Sequence, residues 1–340
     1  MKRLALLPLL FLIPVACNSA QDAGGDDGKL RVMTYNIQWF SEDSDPVRIK
    51  NIKEILDKTT PDIVGLQEIQ SKKALRQVFD DSWSIGIQDD PKQFQEVAIA
   101  VRKPYKLVKT ELLFTSPALD FAFPGNRDVL RAEVETPEGE KVFVYVNHLK
   151  SRRGGRWVTD QQREQAAGML AGYLAAMKGE NSIVLGDMND SPDDRCVNIL
   201  ESGNTMAPGG PSEWPKPLLH NLCEPLYRKN FVSIDLNRLF KGEALSPVVP
   251  GAYNSNEELR GKEHKFPDDV KVTQALFDQI LVSPSLFGKL EGKAFIYSEP
   301  NSMKGSNGRI QMDEGTGFVN YTEKGTRASD HQPVYADFVL

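Results

Sequence analysis

Apolar and polar positions alternate along the chain in a pattern that predicts strands and helices in turn. The run LRVMTYNIQWF predicts a strand, because β-branched, aromatic and aliphatic residues favour an extended chain. Asp45 and Pro46 then predict the cap and first turn of a helix whose apolar residues recur at helical spacing as far as Leu56. A break at Pro61 precedes DIVGLQEI, which predicts a buried strand. The chain therefore opens with a β-α-β unit.

The remaining apolar runs continue this alternation. VAIAVRK and VFVYVNHL predict strands, and SIVLGDMND predicts a strand that runs into a loop. Thr159 and Gln162 have the spacing of a capping box, which predicts that a helix starts there and continues to about Leu174. LFDQILVS and VYADFVL predict the last strands. Residues 201–270 are largely polar and irregular, and we interpret them as surface excursions of a single α/β domain.

The N-terminus has the pattern of an export signal. Lys2 and Arg3 precede an apolar run that is short for a membrane span, and Cys17 follows it as in a bacterial lipoprotein processing site. The alternative is cleavage nearby by an ordinary signal peptidase. We expect a signal over residues 1–17, a flexible tether over 18–28 and one catalytic domain over 29–340. The expected location is the cell envelope, the periplasm or the extracellular space.

Composition and charge narrow the class of protein. Of 340 residues, 40% are hydrophobic and 26% charged, which supports a sizeable core and argues against disordered and fibrous proteins. Loss of Lys2 and Arg3 moves the formal charge from -6 to -8, which argues against a broad basic surface for nucleic acid but not against a nuclease. Cys196 and Cys223 could pair in an oxidising compartment, and the sequence leaves this open.

Polar residues recur where predicted strands end, which is where open α/β sheets usually place their sites. The residues concerned are Glu68, His148, Asp187, Asn189, Asp278, Asp330 and His331. Each has a structural alternative when taken alone. A carboxylate can be solvated in a loop or cap a turn, and a histidine can be satisfied within a core. The occurrence of all seven residues together at the ends of predicted strands is much less expected by chance than any one of them.

This set of side chains suits hydrolysis of a phosphodiester. The reaction needs a deprotonated water, neutralised charge on the phosphate and a protonated leaving oxygen, which carboxylates, a cation and histidines supply. Glu68, with Asn36 or Asp330, offers hard oxygen ligands suited to Mg²⁺ or Ca²⁺. A zinc site would want more histidine or cysteine at close spacing.

The motifs TYNI, LQE, NHLKS, GDMND, FDQILVS and SDHQPV occur in this order between Leu30 and Leu340. Their ordered set resembles the endonuclease/exonuclease/phosphatase superfamily, which includes DNase I-like nucleases, sphingomyelinases and inositol-phosphate phosphatases. The resemblance implies a DNase I-like α/β (α+β) four-layer sandwich, in which two packed mixed β-sheets are flanked by helices. It also implies one domain with its site at one edge.

The resemblance assigns metal, water and phosphate roles to several residues. By its place in the motifs, Glu68 resembles the principal metal ligand of the family. Asn36 and Asp330 resemble family residues that lie close to a metal or phosphate position. Asp187 and Asn189 resemble the pair that orients or activates water and holds the phosphate. The implied cofactor is Mg²⁺, with Ca²⁺ or Mn²⁺ as alternatives.

The resemblance also implies roles for the histidines and for their supporting groups. His331 resembles the histidine that contacts phosphate or acts as a base, and Asp278 the carboxylate that orients it. His148 resembles the second histidine of the DNase I-like branch, a candidate general acid, with Glu96 as its supporting carboxylate. Arg127 resembles the arginine that grips the phosphate. The choice between His331 and Asp187 as general base stays open.

The leading interpretation is a metal-dependent nuclease that acts on DNA or RNA outside the cytoplasm. NHLKS followed by the basic stretch SRRGGRW is more similar to secreted bacterial nucleases than to inositol phosphatases. That stretch could contact a nucleic-acid strand or be a plain solvated loop. Alternatives are a lipid or small-molecule phosphodiesterase, favoured by an apolar patch in LCEPLY or NFVSIDLNRLF, and a non-catalytic surface lipoprotein. We expect a monomer whose membrane contact is limited to an anchor at Cys17.

Overall fold

The structure is a computed structural model of the chain. It describes residues 29–235, apart from 91, 94, 126, 153–155, 178 and 230, and residues 274–340, apart from 300, 301, 303, 307, 308, 313–318 and 324. The predicted signal, tether and lipid anchor at Cys17 lie outside the described residues, as does most of the irregular stretch after residue 235.

The first sheet of the described chain contains both termini of that chain. Its strand Lys29–Phe40 is parallel to the strand Ile63–Ile69, and the other pairs of this sheet are antiparallel, so the sheet is mixed. Its spatial order is β13 (Leu290–Ile296), β16 (Val334–Val339), β1 (Lys29–Phe40), β2 (Ile63–Ile69), β4 (Glu96–Arg102) and β3 (Trp83–Ile87).

The second sheet is also mixed, because the strands Lys141–His148 and Ser182–Asp187 are parallel whereas its other neighbouring strands are antiparallel. Its spatial order is β5 (Lys106–Leu113), β6 (Val129–Glu135), β7 (Lys141–His148), β8 (Ser182–Asp187), β12 (Asp278–Val282) and β9 (His220–Asn221). Two short ladders pair β10 (Ile234–Asp235) with β11 (Gln274–Ala275) and β14 (Arg309–Met312) with β15 (Val319–Glu323).

Helices cover the outer faces of both sheets. The helices of the described chain are α1 (Pro46–Thr59), α2 (Lys72–Leu75), α3 (Arg156–Ala176), α4 (Arg195–Ser202), α5 (Glu224–Tyr227) and α6 (Pro284–Phe287), with a 3₁₀ turn at Pro117–Leu119. Asp45 caps α1 as predicted, because its carboxylate accepts the Val47 amide hydrogen at 2.8 Å. None of these helices is long and apolar enough to cross a membrane.

Three apolar clusters define four layers. The central cluster joins the inner faces of the two sheets, with Ile63 and Ile99 from one sheet and Val144 and Leu185 from the other. A second cluster packs α1 and α2 against the first sheet, and a third packs α3 and α4 against the second sheet. This helix–sheet–sheet–helix arrangement confirms the predicted fold class.

Two local sequence interpretations are corrected by the structure. Thr159 lies inside α3, which begins at Arg156, and the Gln162 amide donates to the Phe121 carbonyl at 2.8 Å. The capping-box prediction was therefore wrong about where the helix starts, because ion pairs of Arg156 with Asp160 extend the first turn. Cys196 and Cys223 are buried free thiols, so they do not form the disulfide that the sequence left open.

Candidate functional site

Four strand ends bring the predicted side chains to one edge of the sandwich. Asn36 and Glu68 lie in the parallel pair β1–β2, and His148 and Asp187 end the parallel pair β7–β8, directly opposite each other. Because the carboxyl ends of parallel strands meet at one edge, both sheets contribute to the same site.

Glu68, His148 and Asp187 form a group that could hold a metal ion, here called the carboxylate–histidine cluster. One ligand atom from each lies within 4.8 Å of the others. His148 Nε2 is 3.8 Å from both Glu68 Oε1 and Asp187 Oδ2. The Asn36 amide nitrogen donates to the same two oxygens, at 3.2 Å and 3.0 Å. Asn36 therefore joins the two carboxylates and limits their separation.

The chemistry of this cluster fits a hard divalent cation. Burial and the nearby charge of Asp330 raise the pKa of Glu68 to about 7, and burial raises the pKa of Asp187 to about 6. Within the described residues, no lysine or arginine forms an ion pair with either carboxylate. Oxygen ligands that lack a cationic partner favour Mg²⁺, Mn²⁺ or Ca²⁺.

His331 and Asp278 form a second functional group beside the carboxylate–histidine cluster. His331 Nδ1 lies 2.7 Å from Asp278 Oδ2, which also accepts the Ser233 hydroxyl at 2.6 Å. His331 Nε2 is 3.8 Å from Asp187 Oδ2. Burial opposes protonation, but the charges of Asp278 and Asp187 outweigh it and raise the pKa of His331 well above its ordinary value. These contacts favour the imidazolium form of His331.

His148, in contrast, is favoured in its neutral form. Burial, followed by the charge of Arg127, lowers the pKa of His148 well below its ordinary value. An arginine only donates, so the 3.3 Å contact from Arg127 Nη1 makes His148 Nε2 the acceptor. A neutral ring can be a metal ligand, and a cation bound at Nε2 would take the lone pair that now accepts from Arg127. The neutral ring is less suited to the general acid that the resemblance implies.

Strained backbone is concentrated at this edge. Gln38, Trp39, Glu68 and Asn189 have positive φ values of 36°, 50°, 64° and 51°. Conformations of this kind cost of order 1–3 kcal/mol per residue and persist where surrounding contacts fix them. One such contact is the Trp39 amide, which donates to Glu68 Oε2 at 3.1 Å. The strain thus accompanies the placement of the acidic ligand.

The other predicted residues have distinct positions. Asn189 donates its amide hydrogen to Asp187 Oδ1 at 2.8 Å and its side-chain amide to the Leu149 carbonyl at 3.0 Å. Asp330 accepts from the Gln38 side chain at 2.8 Å and acts on Glu68 through its charge. Asn189 thus belongs to the site, whereas Asp330 lies beside it.

Glu96 is not brought into contact with His148. Its carboxylate accepts the backbone amide hydrogens of Asp89 and Asp90 at 2.9 Å and 2.6 Å, so it fixes the loop before β4. His148 Nδ1 is buried without a hydrogen-bond partner. No hydrogen bond or ion pair joins Glu96 to His148 in the described part of the chain, and the Glu96 carboxylate is bound to the loop amides instead.

Sequence reasoning missed a buried network next to the site, here called the arginine–aspartate cluster. It consists of Arg152, Arg156, Arg163, Asp160, Asp190 and Asp194. Arg152 and Arg156 are only 2% and 5% exposed, so these arginines of SRRGGRW neither contact a nucleic-acid strand nor lie in a solvated loop. The aspartates of DMNDSPDD were the available signal, because a buried basic run needs acidic partners.

The fold and the order of site residues are those of the DNase I-like class of phosphoesterases, and the carboxylate–histidine cluster could hold a metal ion. The model of the endonuclease/exonuclease/phosphatase family matches residues 33–331, and the chain belongs to this family. Members of the family hydrolyse phosphate esters. No curated protein matches the chain.

Solved structures with the same fold share little sequence with this chain. Truncated TDP2 from Caenorhabditis elegans is 18% identical, with a TM-score of 0.56 and coverage of 92% of this chain and 98% of that one. TDP2 from D. rerio, complexed with a single-strand DNA product, is 18% identical, with a TM-score of 0.52 and coverage of 92% and 99%. A mannosyl-6-phosphatase from Bacteroides thetaiotaomicron is 14% identical, with a TM-score of 0.55 and coverage of 92% and 100%. These likenesses show the fold.

Proposed function

We propose that this protein is a divalent-metal-dependent phosphodiesterase that cleaves DNA or RNA outside the cytoplasm. The observation that carries the proposal is the closeness of a possible cation site to a second histidine. His331 Nε2, whose protonated form is favoured, lies 3.8 Å from Oδ2 of Asp187 in the carboxylate–histidine cluster. A cation site and a charged hydrogen-bond donor at one strand edge are what a phosphodiester in its transition state requires.

In this proposal, the residues of the site have separate roles in binding the cation, binding the phosphate and activating water. Glu68, Asp187 and His148 would hold the cation, which supplies positive charge to the phosphate oxygens and lowers the pKa of bound water. His331 keeps a proton on Nε2, because Asp278 fixes its Nδ1, and donates this hydrogen toward the phosphate. Asn189 orients the attacking water with Asp187. Asp187 is the candidate base, because a His331 ring that carries a proton on both nitrogens has no lone pair to accept another.

Nucleic acid is the favoured substrate for two reasons. The D. rerio neighbour of this fold is complexed with a single-strand DNA product. Arg127 lies 3.3 Å from His148 at the cluster, where a fork of donors can hold a phosphodiester oxygen. Arg152 and Arg156 are buried and are not available to contact a strand, so the proposal rests on the site and not on these two arginines.

A second candidate is a phosphatase or phosphodiesterase that acts on a sugar phosphate or another small molecule. It is favoured by the acidic net charge and by the likeness to a mannosyl-6-phosphatase. A substrate of this kind needs only the phosphate contacts of the site. DNA cleavage would exclude it as the main activity.

The proposed location follows from the N-terminal sequence. An export signal followed by Cys17 supports attachment to the cell envelope through a lipid on that cysteine. A labelled fatty acid should be incorporated into the wild-type chain in a bacterial host and should be absent from Cys17→Ser. Equal labelling of both chains would reject the anchor.

The test of function is hydrolysis by the purified protein of plasmid DNA, RNA, bis-p-nitrophenyl phosphate, sphingomyelin and mannose 6-phosphate. Each is assayed with Mg²⁺, Mn²⁺, Ca²⁺ or EDTA. We expect metal-dependent cleavage of nucleic acid that falls by at least about 100-fold in His331→Ala and His148→Ala.

His220→Ala is the matched control, because His220 stacks on Phe287 in a groove lined by Glu201 and Glu224 and has no contact with the site. Its activity should stay close to that of wild type. Hydrolysis of mannose 6-phosphate or sphingomyelin alone would replace the nuclease proposal by the second candidate or its lipid-directed form. Inactivity on every substrate with every metal would favour a partner-binding lipoprotein.

A further inference from the structure

The loop that follows β8 carries the predicted site residue Asn189, two positions after Asp187 at the end of that strand, and is fixed through its backbone carbonyls. Asn189 adopts a left-handed conformation with φ 51°, and its amide hydrogen binds Asp187 Oδ1. The Asn189 carbonyl accepts from Arg152 Nε at 3.0 Å. The Asp190 carbonyl accepts from the Gln279 side chain at 2.7 Å. The turn is therefore held from two sides by buried donors.

Arg152 is itself fixed by the arginine–aspartate cluster. Its Nη2 donates to Asp190 Oδ1 at 2.8 Å and to Asp194 Oδ2 at 2.6 Å, and its guanidinium lies 4.9 Å from the centre of the Phe277 ring. Asp194 Oδ2 also accepts the Ser191 amide hydrogen at 2.7 Å. The guanidinium consequently has little freedom to move away from the Asn189 carbonyl.

The charges of the cluster balance without a substrate. Three arginines face three aspartates, and the side chains of Arg152, Asp190 and Asp194 are each 2–3% exposed. Buried charges in such a set are compensated internally, so the cluster does not need a phosphate to be stable. Its contact with the Asn189 backbone links it to the reaction.

We propose that Arg152 is a positioning residue that sets the left-handed turn of Asn189 and, through it, the orientation of the Asp187 carboxylate. The inference rests on the proposed phosphodiesterase function. With the Asn189 carbonyl fixed, its amide hydrogen stays on Asp187 Oδ1, and Asp187 Oδ2 is left facing Asn36, His148 and His331. Only a planar fork can reach the carbonyl and both aspartates together, so lysine is not equivalent.

The experiment compares Arg152→Lys and Arg152→Met with Arg156→Lys and Arg156→Met in the purified protein. Arg156 is a matched control, because it is buried in the same cluster and donates to the side chains of Asp160 and Asp194. The measurements are kcat and KM on DNA and bis-p-nitrophenyl phosphate, and Tm for each variant. We expect Arg152→Lys to lose at least about 10-fold in kcat with KM changed by less than about 3-fold.

The control variant separates a positioning role from a purely structural one. If Arg152 positions Asn189, Arg156→Lys should lower Tm about as much as Arg152→Lys does, while its kcat stays within about 3-fold of wild type. A purely structural role predicts the same loss of kcat in both lysine variants. Full kcat in Arg152→Lys, or the same loss of kcat in both lysine variants at equal Tm, would overturn the proposal.

A second readout does not depend on turnover. In protein labelled with ¹⁵N-asparagine, the side-chain amide signal of Asn189 is identified by its loss in Asn189→Asp. We expect this signal to shift or broaden in Arg152→Lys and to stay in place in Arg156→Lys. An unmoved signal in Arg152→Lys would overturn the inference. A wild type that is inactive on all substrates would reject the proposed function, and the amide signal would still decide the role of Arg152.

Discussion

The two histidines at the site favour different charge states, His331 the protonated form and His148 the neutral form. His331 lies beside two carboxylates, Asp278 at 2.7 Å and Asp187 at 3.8 Å, which favour its protonated form. Burial lowers the pKa of His148, and the guanidinium of Arg127 lowers it further. His148 lacks a carboxylate contact as short as the 2.7 Å one between His331 and Asp278, so nothing among the described residues offsets its burial.

Replacement of Asp278 by asparagine should remove the charge that keeps His331 protonated. In metal-free wild-type protein at about pH 7.5, ¹⁵N chemical shifts of the imidazole nitrogens should show His331 protonated at both nitrogens and His148 neutral. In Asp278→Asn, the pKa of His331 should fall and kcat should decrease on the order of 100-fold. His220 is the internal reference. A His331 that stays charged in the variant would contradict this account.

Glu68→Gln should weaken metal binding by at least about 10-fold, because an amide oxygen carries no net charge for the cation. Binding of Mn²⁺ can be measured by calorimetry or by electron paramagnetic resonance. Glu96→Gln is the matched control, since burial raises the pKa of both glutamates to about 7 but Glu96 contacts only the loop amides of Asp89 and Asp90. Equal losses of affinity in both variants would argue against Glu68 as a ligand.

The parallel pair β7–β8 depends on one glycine next to the site. Gly186 has φ 141°, and a Cβ built on it would lie 1.9 Å from the Asn147 carbonyl oxygen. Asn147 pairs with Gly186 and His148 with Asp187 in the register of these strands. The close approach at Gly186 thus precedes the residue pair that contributes to the carboxylate–histidine cluster.

Gly186→Ala should destabilise the protein by about 2–4 kcal/mol, because it combines an unfavourable φ with a clash against backbone. Gly139→Ala is its control. Gly139 also has a positive φ, 88°, but a Cβ there would have no atom within 4 Å, so the expected loss is about 1 kcal/mol. Urea denaturation measures both values. Similar losses would show that the approach of β8 to β7 is not what requires glycine.

At the scale of the whole molecule, two face-to-face sheets bury a continuous apolar core and leave ionisable groups at their edges. Glu201 at the end of α4 is 7% exposed, and burial, followed by the nearby charge of Glu224, raises its pKa from 4.5 to about 8. It lies away from the predicted site, in a groove that includes Trp214 and His220. Its ionisation therefore affects the stability of the fold.

The folded protein should lose stability as pH rises through this range. Folded Glu201 keeps its proton between pH 4.5 and about 8, whereas the unfolded chain has already released it, so the free energy of unfolding decreases as pH increases. Between about pH 5 and about pH 9, this decrease should be smaller in Glu201→Gln by on the order of 4 kcal/mol. Glu213→Gln, at an exposed position of the same groove, should behave as wild type. Identical pH profiles for wild type and Glu201→Gln would contradict the prediction.

Local sequence was sufficient for the strands and for the motifs at their ends. Runs of β-branched and aliphatic residues predicted the positions of β1, β2, β7, β8 and β12. An alternating run indicates a strand with one buried face, and a continuous apolar run indicates a strand buried on both faces. Polar residues that interrupt such runs at their ends mark a site. The sequence also indicated the family, through the order of motifs that lie far apart along the chain.

Contacts between distant segments were decided only by the tertiary structure. The contact of His148 with Arg127 and the burial of Arg152 against Asp190 each join residues that no local pattern pairs. Charge state and burial depend on which atoms surround a group in space, and packing of the two sheets determines those neighbours. The sequence by itself determined which residues are available for phosphoester chemistry, and the fold determined which of them meet and in what state.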